Sequence, residues 1–190
     1  LLPRALRTFR TEHPDVVLRT HVAPLAAMVD LLRTGDASMA LALDDDLPPD
    51  IAVEHIGTTS FCCLLPEGHR LTGAQEVGFS DLEDETIISY RSQTRPHDEL
   101  DMAQRRRGGI FAPQIEIDSS ISAAGFVRAG LGVALVDALL PWAQFPGIVA
   151  VPLRDAPGLP VSLLTARDKT LSRAEEAMRK LLHATPLVET

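Results

Sequence analysis

Several features that other classes of protein need are scarce or missing in this sequence. No apolar run approaches the roughly 20 residues that a membrane-spanning helix needs. The opening segment LLPRALRTFR lacks the continuous apolar stretch and the small-residue cleavage site of a signal peptide. The net charge of -8 argues against a surface that grips the phosphate backbone of a nucleic acid unaided. We therefore expect a globular protein that is cytoplasmic and has no membrane partner.

Cysteine is limited to one adjacent pair, Cys62 and Cys63. Because neighbouring side chains in a strand point to opposite faces and rarely bridge, this pair excludes a disulfide framework. We interpret the two residues as buried free thiols in a reducing compartment, and a redox or metal-binding pair is the alternative.

Helix and strand patterns, by contrast, alternate along the whole chain. Its 190 residues, 45% hydrophobic and 23% charged, are typical of one large domain or two small lobes with a real core. Strands are expected at Val16–Val22 and Ala37–Leu43, each after a helix, and this order predicts an α/β fold with parallel pairing. Two Ser-x-x-Glu motifs, beginning at Ser80 and Ser172, are expected to be capping boxes that open helices.

The motifs of the common enzyme classes are absent. There is no Gly-x-Ser-x-Gly elbow, and the serine, histidine and aspartate residues form no recognisable triad. Gly130-x-Gly132 lacks the third glycine of a dinucleotide site and precedes a strand, so we interpret it as a helix-to-strand turn. His97 and Asp101 lack a third metal ligand, and Arg105–Arg107 is interpreted as the basic end of a helix. We predict no catalytic residue, no metal site and no cofactor.

Polar residues that follow several of the predicted strands form the candidate binding site. In open α/β sheets, ligands lie beyond the carboxyl ends of the strands. The serine pair at 119 and 120 opens a helix, whose free N–H groups and dipole attract a carboxylate. Taken alone, Ser119 is also explained as a cap and Arg91 as a solvated arginine. The candidate ligand-binding residues are Arg91, Ser92, Gln93, Thr94, Ser119, Ser120 and Asp137.

Asp137 ends the apolar run GVALV, where a carboxylate costs free energy unless it is hydrated, paired or hydrogen-bonded. One interpretation is that it N-caps the short turn ALLP that follows. The other is that it faces a ligand and pairs with an ammonium or guanidinium group, while the ligand's carboxylate lies near Ser119 and Ser120 or near Arg91. A ligand of the second kind carries both charges, as amino acids and opines do.

Five stretches, taken in their order and spacing, are specific enough to indicate a family. They are LLPRALRTFRTEHPDV, LLRTGDASMALAL, LLPEGHRL, FSDLEDE and FVRAGLGVALVD. Together they resemble the effector-binding domain of LysR-type transcriptional regulators, and the resemblance covers almost the whole chain. Ser38 stands where the family usually has an acid, and Arg70 stands where proline usually follows histidine. Asp137 stands where most members have proline, which is similar to members that sense opines and basic amino acids.

The resemblance implies two lobes of the type II periplasmic-binding-protein fold, joined by two crossover segments. We expect lobe I to comprise residues 1–60 and 162–190, without the family's usual first strand, and lobe II to comprise residues 61–161. It also implies a small-molecule effector in the cleft between the lobes. A homodimer is implied as well, with the first helix of one subunit beside the second lobe of its partner.

The resemblance further implies that DNA is bound only through a winged helix-turn-helix, which does not precede Leu1 in this sequence. A periplasmic-type solute-binding protein would share the fold and is the alternative function. An enzyme of the same fold, such as a deaminase, would need a reactive group that the sequence does not offer.

Overall fold

The computed structural model describes residues 1–187 and divides the chain into two compact units. Unit 1 comprises Leu1–Gly57 together with the chain from Pro160 onward, and unit 2 comprises Thr58–Leu159. The chain therefore passes from one unit to the other twice, a few residues before the positions expected from the sequence. The first residue and the last described residues, up to 187, therefore belong to the same unit.

Five α-helices and eight strands form the regular structure of residues 1–187. In chain order they are α1 (Leu2–Glu12), α2 (Leu25–Thr34), β1 (Ala40–Ala42), β2 (Ile51–Thr59), β3 (Phe61–Pro66), β4 (Ile87–Tyr90), α3 (Arg95–Arg105), β5 (Ile115–Ile117), α4 (Ser120–Arg128), β6 (Val133–Asp137), β7 (Ile148–Pro152), β8 (Leu159–Ala166) and α5 (Arg173–Ala184). Across this described part of the chain, every helix is too short or too polar to cross a bilayer.

Unit 1 is built on a three-stranded sheet in the order β1-β8-β2. Successive side chains of a strand point to opposite faces, and both faces of β8 pack against helices. Leu163 packs with residues of α1 and α5, whereas Leu164 packs with residues of α2. The parallel pairing predicted for this region is wrong for β1, which pairs antiparallel with β8. The reason is that β8 enters the sheet from the far end of the chain and not through a helix crossover from β1.

The carboxy-terminal helix α5 confirms the predicted capping box and packs through an apolar face. The hydroxyl of Ser172 accepts a hydrogen bond from the N–H of Glu175 at 3.3 Å, and the Glu175 carboxylate accepts one from the N–H of Ser172 at 2.7 Å. Met178 and Leu182 lie in one buried cluster with Phe9 of α1. The two ends of the chain therefore share a hydrophobic core.

The strand predicted at Val16–Val22 does not form, since no ladder within residues 1–187 includes this segment. Its apolar alternation is nevertheless real. Val16 and Leu18 pack against the core shared by α1 and α5, whereas Val17 and Val22 are 77% and 89% exposed. A strand needs a neighbouring backbone with which to pair, and the described chain supplies none here.

Unit 2 contains a five-stranded sheet in the order β5-β4-β6-β3-β7. The strand β4 runs parallel to both β5 and β6, whereas β3 pairs antiparallel with β6 and β7. All residues of β6 are buried, as predicted for a strand that is apolar on both faces. Because parallel strands end at the same edge, the carboxyl ends of β4, β5 and β6 lie together.

The turn between α4 and β6 requires glycine, which confirms the interpretation of Gly130-x-Gly132 as a helix-to-strand turn. Gly132 has φ of +147°, and a Cβ atom added there would lie 2.2 Å from the carbonyl oxygen of Thr86. That carbonyl accepts the N–H of Val133 at 2.9 Å, so the close approach sets where β6 begins. Gly130 also has a positive φ, of +76°, but a Cβ atom there would meet nothing within 4 Å.

The capping box predicted at Ser80 is wrong by two residues. The short 3-10 helix spans Phe79–Leu82, and the carboxylate of Asp81 accepts a hydrogen bond from the N–H of Gly78 at 2.7 Å. Both end residues of this helix are buried, and their packing fixes where the turn begins.

Candidate functional site

The structure brings the seven candidate residues to one edge of the sheet in unit 2. The strand β4 lies between β5 and β6 and is parallel to both. A hydrogen bond of 3.2 Å from the N–H of Arg91 to the carbonyl of Ile117 continues the β4–β5 ladder past the end of β4. The loop after β4 carries residues 91–94, the start of α4 after β5 carries residues 119 and 120, and β6 ends at Asp137. Their proximity follows from the topology, and ligand binding by them stays a prediction.

Asp137 is almost fully buried, with 3% of its surface exposed, and both of its carboxylate oxygens have partners. Oδ1 accepts the N–H of Leu139 at 3.0 Å, and Oδ2 accepts the phenol of Tyr90. The first of these is a turn-capping bond, so the capping interpretation is confirmed. The main-chain carbonyl of Asp137 also accepts the indole N–H of Trp142 at 2.9 Å, which fastens the turn to β6.

Tyr90 is the residue that the sequence interpretation missed. It is the last residue of β4 and 6% exposed, and it links the carboxyl ends of β4 and β6. Its phenol oxygen also accepts the N–H of Asp137 at 3.2 Å. Burial, and then the neighbouring charge of Asp137, raise the pKa of Tyr90 well above its usual value. The available signal was its position, since Tyr90 directly precedes the polar loop at the end of β4.

The start of α4 leaves its first N–H groups without a side-chain cap. Ser119 occupies the N-cap position with extended backbone angles, but its hydroxyl makes no capping hydrogen bond, so the interpretation of Ser119 as a side-chain cap is wrong. The first turn also contains no acidic residue. A helix start of this kind attracts anions because its N–H groups are unsatisfied and its dipole is positive there.

The loop after β4 is partly closed on itself. Arg91 pairs with Asp118 at 2.6 Å between Nε and Oδ1, and both side chains are about half exposed or more, at 49% and 65%. The hydroxyl of Thr94 donates to the carbonyl of Arg91 at 2.8 Å. Gln93 has φ of +65°, in the left-handed region that non-glycine residues rarely adopt. Ser92 and Gln93 are exposed and do not belong to the core.

The two cysteines lie under this edge as buried thiols. Cys62 and Cys63 are adjacent in β3 and are not joined to each other. Burial raises the pKa of both thiols, to about 12 for Cys63. The Cys62 thiol donates weakly to the carbonyl of Asp137 at 3.7 Å. Their environment favours the structural interpretation over a reactive pair.

The polar helix α3 carries the two motifs that the sequence interpretation set aside. Asp101 pairs with Arg105 at 2.6 Å and accepts the N–H of Phe111 at 3.5 Å. The hydrogen bond from Arg105 lowers the pKa of Asp101. Arg107 pairs with Asp155 at 3.1 Å. Within residues 1–187, no group of three or more histidine, cysteine or acidic side chains is placed to hold a metal ion.

Unit 1 has an open depression of about 620 Å³ that contains none of the candidate residues. Its charged lining is already paired in part. Arg179 contacts Glu54 at 2.8 Å and Glu176 at 3.0 Å. Because these groups satisfy one another, the depression offers a ligand less unpaired charge than its residue types imply.

Comparison with known proteins gives a consistent result. Residues 1–186 match the family model of the LysR substrate binding domain. The chain is 26% identical over 132 residues to the regulatory protein NocR of Agrobacterium tumefaciens (strain T37). The aligned residues make up 70% of this chain and 44% of NocR. The chain spans about half the length of the curated relatives it matches, which are named as regulatory proteins or transcriptional regulators.

Two solved structures resemble the chain over nearly its whole length. The effector binding domain of QuiR in complex with shikimate has a TM-score of 0.81 and 13% identity, and covers 96% of this chain and 88% of that one. The BenM effector binding domain with its effector benzoate has a TM-score of 0.76 and 21% identity. This match covers 97% of this chain and 85% of the BenM domain. These likenesses confirm the predicted α/β fold of the type II periplasmic-binding-protein class.

Proposed function

The chain belongs to the LysR substrate-binding domain family, and from this premise we propose that it binds a small anionic effector at the candidate edge of unit 2. The observation that carries the proposal is the start of α4, where uncapped N–H groups lie beside the ends of β4 and β6. A carboxylate is the group that such a helix start favours. The proposed contacts are Arg91, Ser92, Gln93, Thr94, Ser119, Ser120 and Asp137.

The effector that suits this edge is amino-acid-like, with a hydrogen-bond donor beside its carboxylate. Asp137 at the end of β6 would favour an ammonium or hydroxyl group of the effector over a second anion. QuiR and BenM were solved with shikimate and benzoate, and both of these ligands are small carboxylates. We propose the same broad class of ligand for this chain.

At the level of the whole protein, we propose a cytoplasmic transcriptional regulator and not an enzyme. The family match and the names of the curated relatives favour a regulator over a periplasmic-type solute-binding protein. DNA would be contacted by a part of the protein outside this chain, and the effector signal would be relayed to it.

A thermal-shift screen of small carboxylates, each matched with its neutral amide, tests effector binding. A ligand at 100 times its Kd stabilises the folded state by about 2.7 kcal/mol, so a carboxylate that binds should raise the Tm and its amide should not. Ser119→Asp places a carboxylate at the helix start, where it should cap α4 and compete with the effector. Ser172→Asp, at the start of α5, is the matched control and should leave binding unchanged. Equal binding by all three proteins would contradict the proposed site.

We also propose a homodimer in which the outward face of α4 takes part. Ile121 on this face is 45% exposed, and there is open space above Gly125 that would allow a second backbone to approach closely. Sedimentation should give twice the 20.6 kDa mass of one chain. Ile121→Asp should shift the protein to monomers, whereas Met102→Asp, at a position 43% exposed on α3, should not. A monomeric wild-type chain at high micromolar concentration would refute the proposal.

A further inference from the structure

The open depression of unit 1 is formed by the ends of two strands and by the segment between β8 and α5. Ala52 and Glu54 are near the start of β2, and Thr165 is near the end of β8. The chain crosses between the units toward the opposite ends of these two strands. The depression therefore belongs to unit 1 alone, and no residue of the candidate edge lines it.

Two cations of this lining differ from Arg179, because neither forms an ion pair within residues 1–187. The first is Arg167, which is held by two main-chain carbonyls. Its Nε donates to the carbonyl of Pro49 at 2.9 Å, and its backbone N–H donates to that of Asp50 at 2.9 Å. A carbonyl fixes the guanidinium without cancelling its charge, and the donors on both Nη atoms stay available to a ligand.

The second cation is Lys169, whose ammonium group lies beside the carboxyl end of α2. A Cβ atom added at Gly35, the C-cap of this helix, would be 3.8 Å from the Nζ atom of Lys169. A helix end carries only about half an elementary charge, so it holds the ammonium group without neutralising it. Asp168 separates the two cations in the sequence, but it does not line the depression and pairs with neither of them.

Two hydroxyl groups add further donors to the depression, and its acidic side chains are already engaged. Thr165 and Thr170 are part of the lining, and their hydroxyls bond to no other group in the part of the chain that the structure describes. Arg179 contacts Glu54 at 2.8 Å and Glu176 at 3.0 Å. The paired carboxylates repel an anion less than unpaired carboxylates would.

We propose that this depression binds the phosphate group of a small phosphorylated molecule, with Arg167 and Lys169 as its charged contacts. A phosphate monoester carries a charge of about −1.5 to −2 at pH 7 and three strong acceptor oxygens. These properties match two cations without acidic partners and two hydroxyl donors, whereas a carboxylate brings one charge and two oxygens. The volume of about 620 Å³ is within the range of small-molecule sites. The chain would then bind two ligands of different chemistry, one in each unit.

A small phosphorylated molecule fits this depression better than the phosphate backbone of a nucleic acid does. The chain carries a net charge of -8, so a polyanion would be repelled by the surface that surrounds the two cations. A single phosphate group contacts only the lining itself and avoids most of this repulsion.

Lysine acylation tests the proposal within one molecule, because Lys169 and Lys180 are the only lysines of the chain. Lys180 is exposed on α5 and does not line the depression, so it is the internal control. Because both cations are partly solvated, we expect a Kd on the order of 1 mM. Glycerol 3-phosphate at about 10 mM should therefore slow acylation of Lys169 about fivefold to tenfold and leave Lys180 unchanged. Mass spectrometry measures both rates, and sodium chloride at equal ionic strength should slow neither.

Calorimetry with substituted chains identifies the contacts. Arg167→Gln and Lys169→Gln should each weaken the binding of glycerol 3-phosphate at least about fivefold. Arg173→Gln makes the same change of charge at an exposed position outside the depression, and its Kd should stay within about twofold of wild type. Propionate should bind to wild type at least about fivefold more weakly than glycerol 3-phosphate. The urea midpoint of each variant checks that it is folded.

Three results would overturn the proposal. The first is acylation that glycerol 3-phosphate slows equally at both lysines or at neither. The second is binding of glycerol 3-phosphate that is unchanged in folded Arg167→Gln and Lys169→Gln chains, since the phosphate would then lie elsewhere. The third is protection of Lys169 by a short DNA duplex but not by glycerol 3-phosphate, which would assign the two cations to a nucleic acid.

Discussion

The hydrogen bond between Tyr90 and Asp137 should contribute measurably to the free energy of unfolding, and Tyr90→Phe removes it without changing the ring. The two residues are 6% and 3% exposed, so water cannot readily replace the phenol. A hydrogen bond to a charged group contributes roughly 1.5–3 kcal/mol. The backbone N–H of Asp137 also loses its acceptor. We expect a loss of about 2 kcal/mol, which lowers the Tm of a chain of this length by about 4–8 °C.

Urea unfolding followed by tryptophan fluorescence measures this loss. The only tryptophan is Trp142, whose indole N–H donates to the carbonyl of Asp137, so its emission reports on this part of unit 2. Thr8→Val is the control because it removes an exposed hydroxyl that donates to the carbonyl of Arg4. A loss in Tyr90→Phe no greater than the loss in Thr8→Val would refute the reasoning.

Alkaline pH provides a second test of the same pair. The pKa of Tyr90 is higher in the folded chain than its usual value of 10.0, so the folded state keeps a proton that the unfolded state loses. The contribution of protonated Tyr90 to the free energy of unfolding is therefore complete below about pH 10 and is lost as the pH rises beyond it. The difference in stability between wild type and Tyr90→Phe should narrow above pH 10, by up to about 1.4 kcal/mol per pH unit. A difference that widens there would contradict the assignment.

Three other changes test the fold away from this pair. Gly132→Ala should lower the free energy of unfolding by at least about 3 kcal/mol, because it combines a positive φ with a clash against a carbonyl oxygen. Gly130→Ala should lower it by only about 1 kcal/mol, because there is no clash at that position. Equal losses of the two variants in urea unfolding would contradict this difference. Cys62 and Cys63 should resist iodoacetamide at pH 8 in the folded chain and react in urea, because burial raises the pKa of both thiols. Mass spectrometry counts the labels, and rapid labelling of the folded chain would show that the thiols are accessible. Ser172→Ala should lower the free energy of unfolding by about 1 kcal/mol through loss of the capping box. An unchanged urea midpoint would show that the box does not stabilise α5.

Features that depend on neighbouring residues were predictable from the sequence. The capping box of α5 is an example, because its two side chains lie three residues apart and bond each other's backbone. The glycine turn before β6 is another, because positive φ at Gly132 is a local requirement. The gathering of polar loops at one edge also followed, once parallel strands were expected, because parallel strands end on the same side.

Features that depend on distant partners were not predictable in the same way. The alternation of Val16–Val22 is that of a strand, but whether a strand forms depends on a neighbouring backbone, which sequence periodicity does not specify. Asp137 is buried against Tyr90, which lies 47 positions away in the sequence, and no local sequence pattern at either residue predicts this contact. The direction of the β1–β8 pair likewise depends on how the chain returns to unit 1.

The shared core of α1 and α5 has a consequence for synthesis of the chain. Phe9 and Leu163 belong to one cluster but are separated by roughly 150 residues. At about 5–20 residues per second, on the order of ten to thirty seconds pass between the synthesis of α1 and that of its core partners. Unit 2, which is continuous from Thr58 to Leu159, is complete before that and can fold first. During this interval α1 is open to chaperones and to aggregation, and a nascent chain that stalls before α5 would leave α1 without the rest of its core.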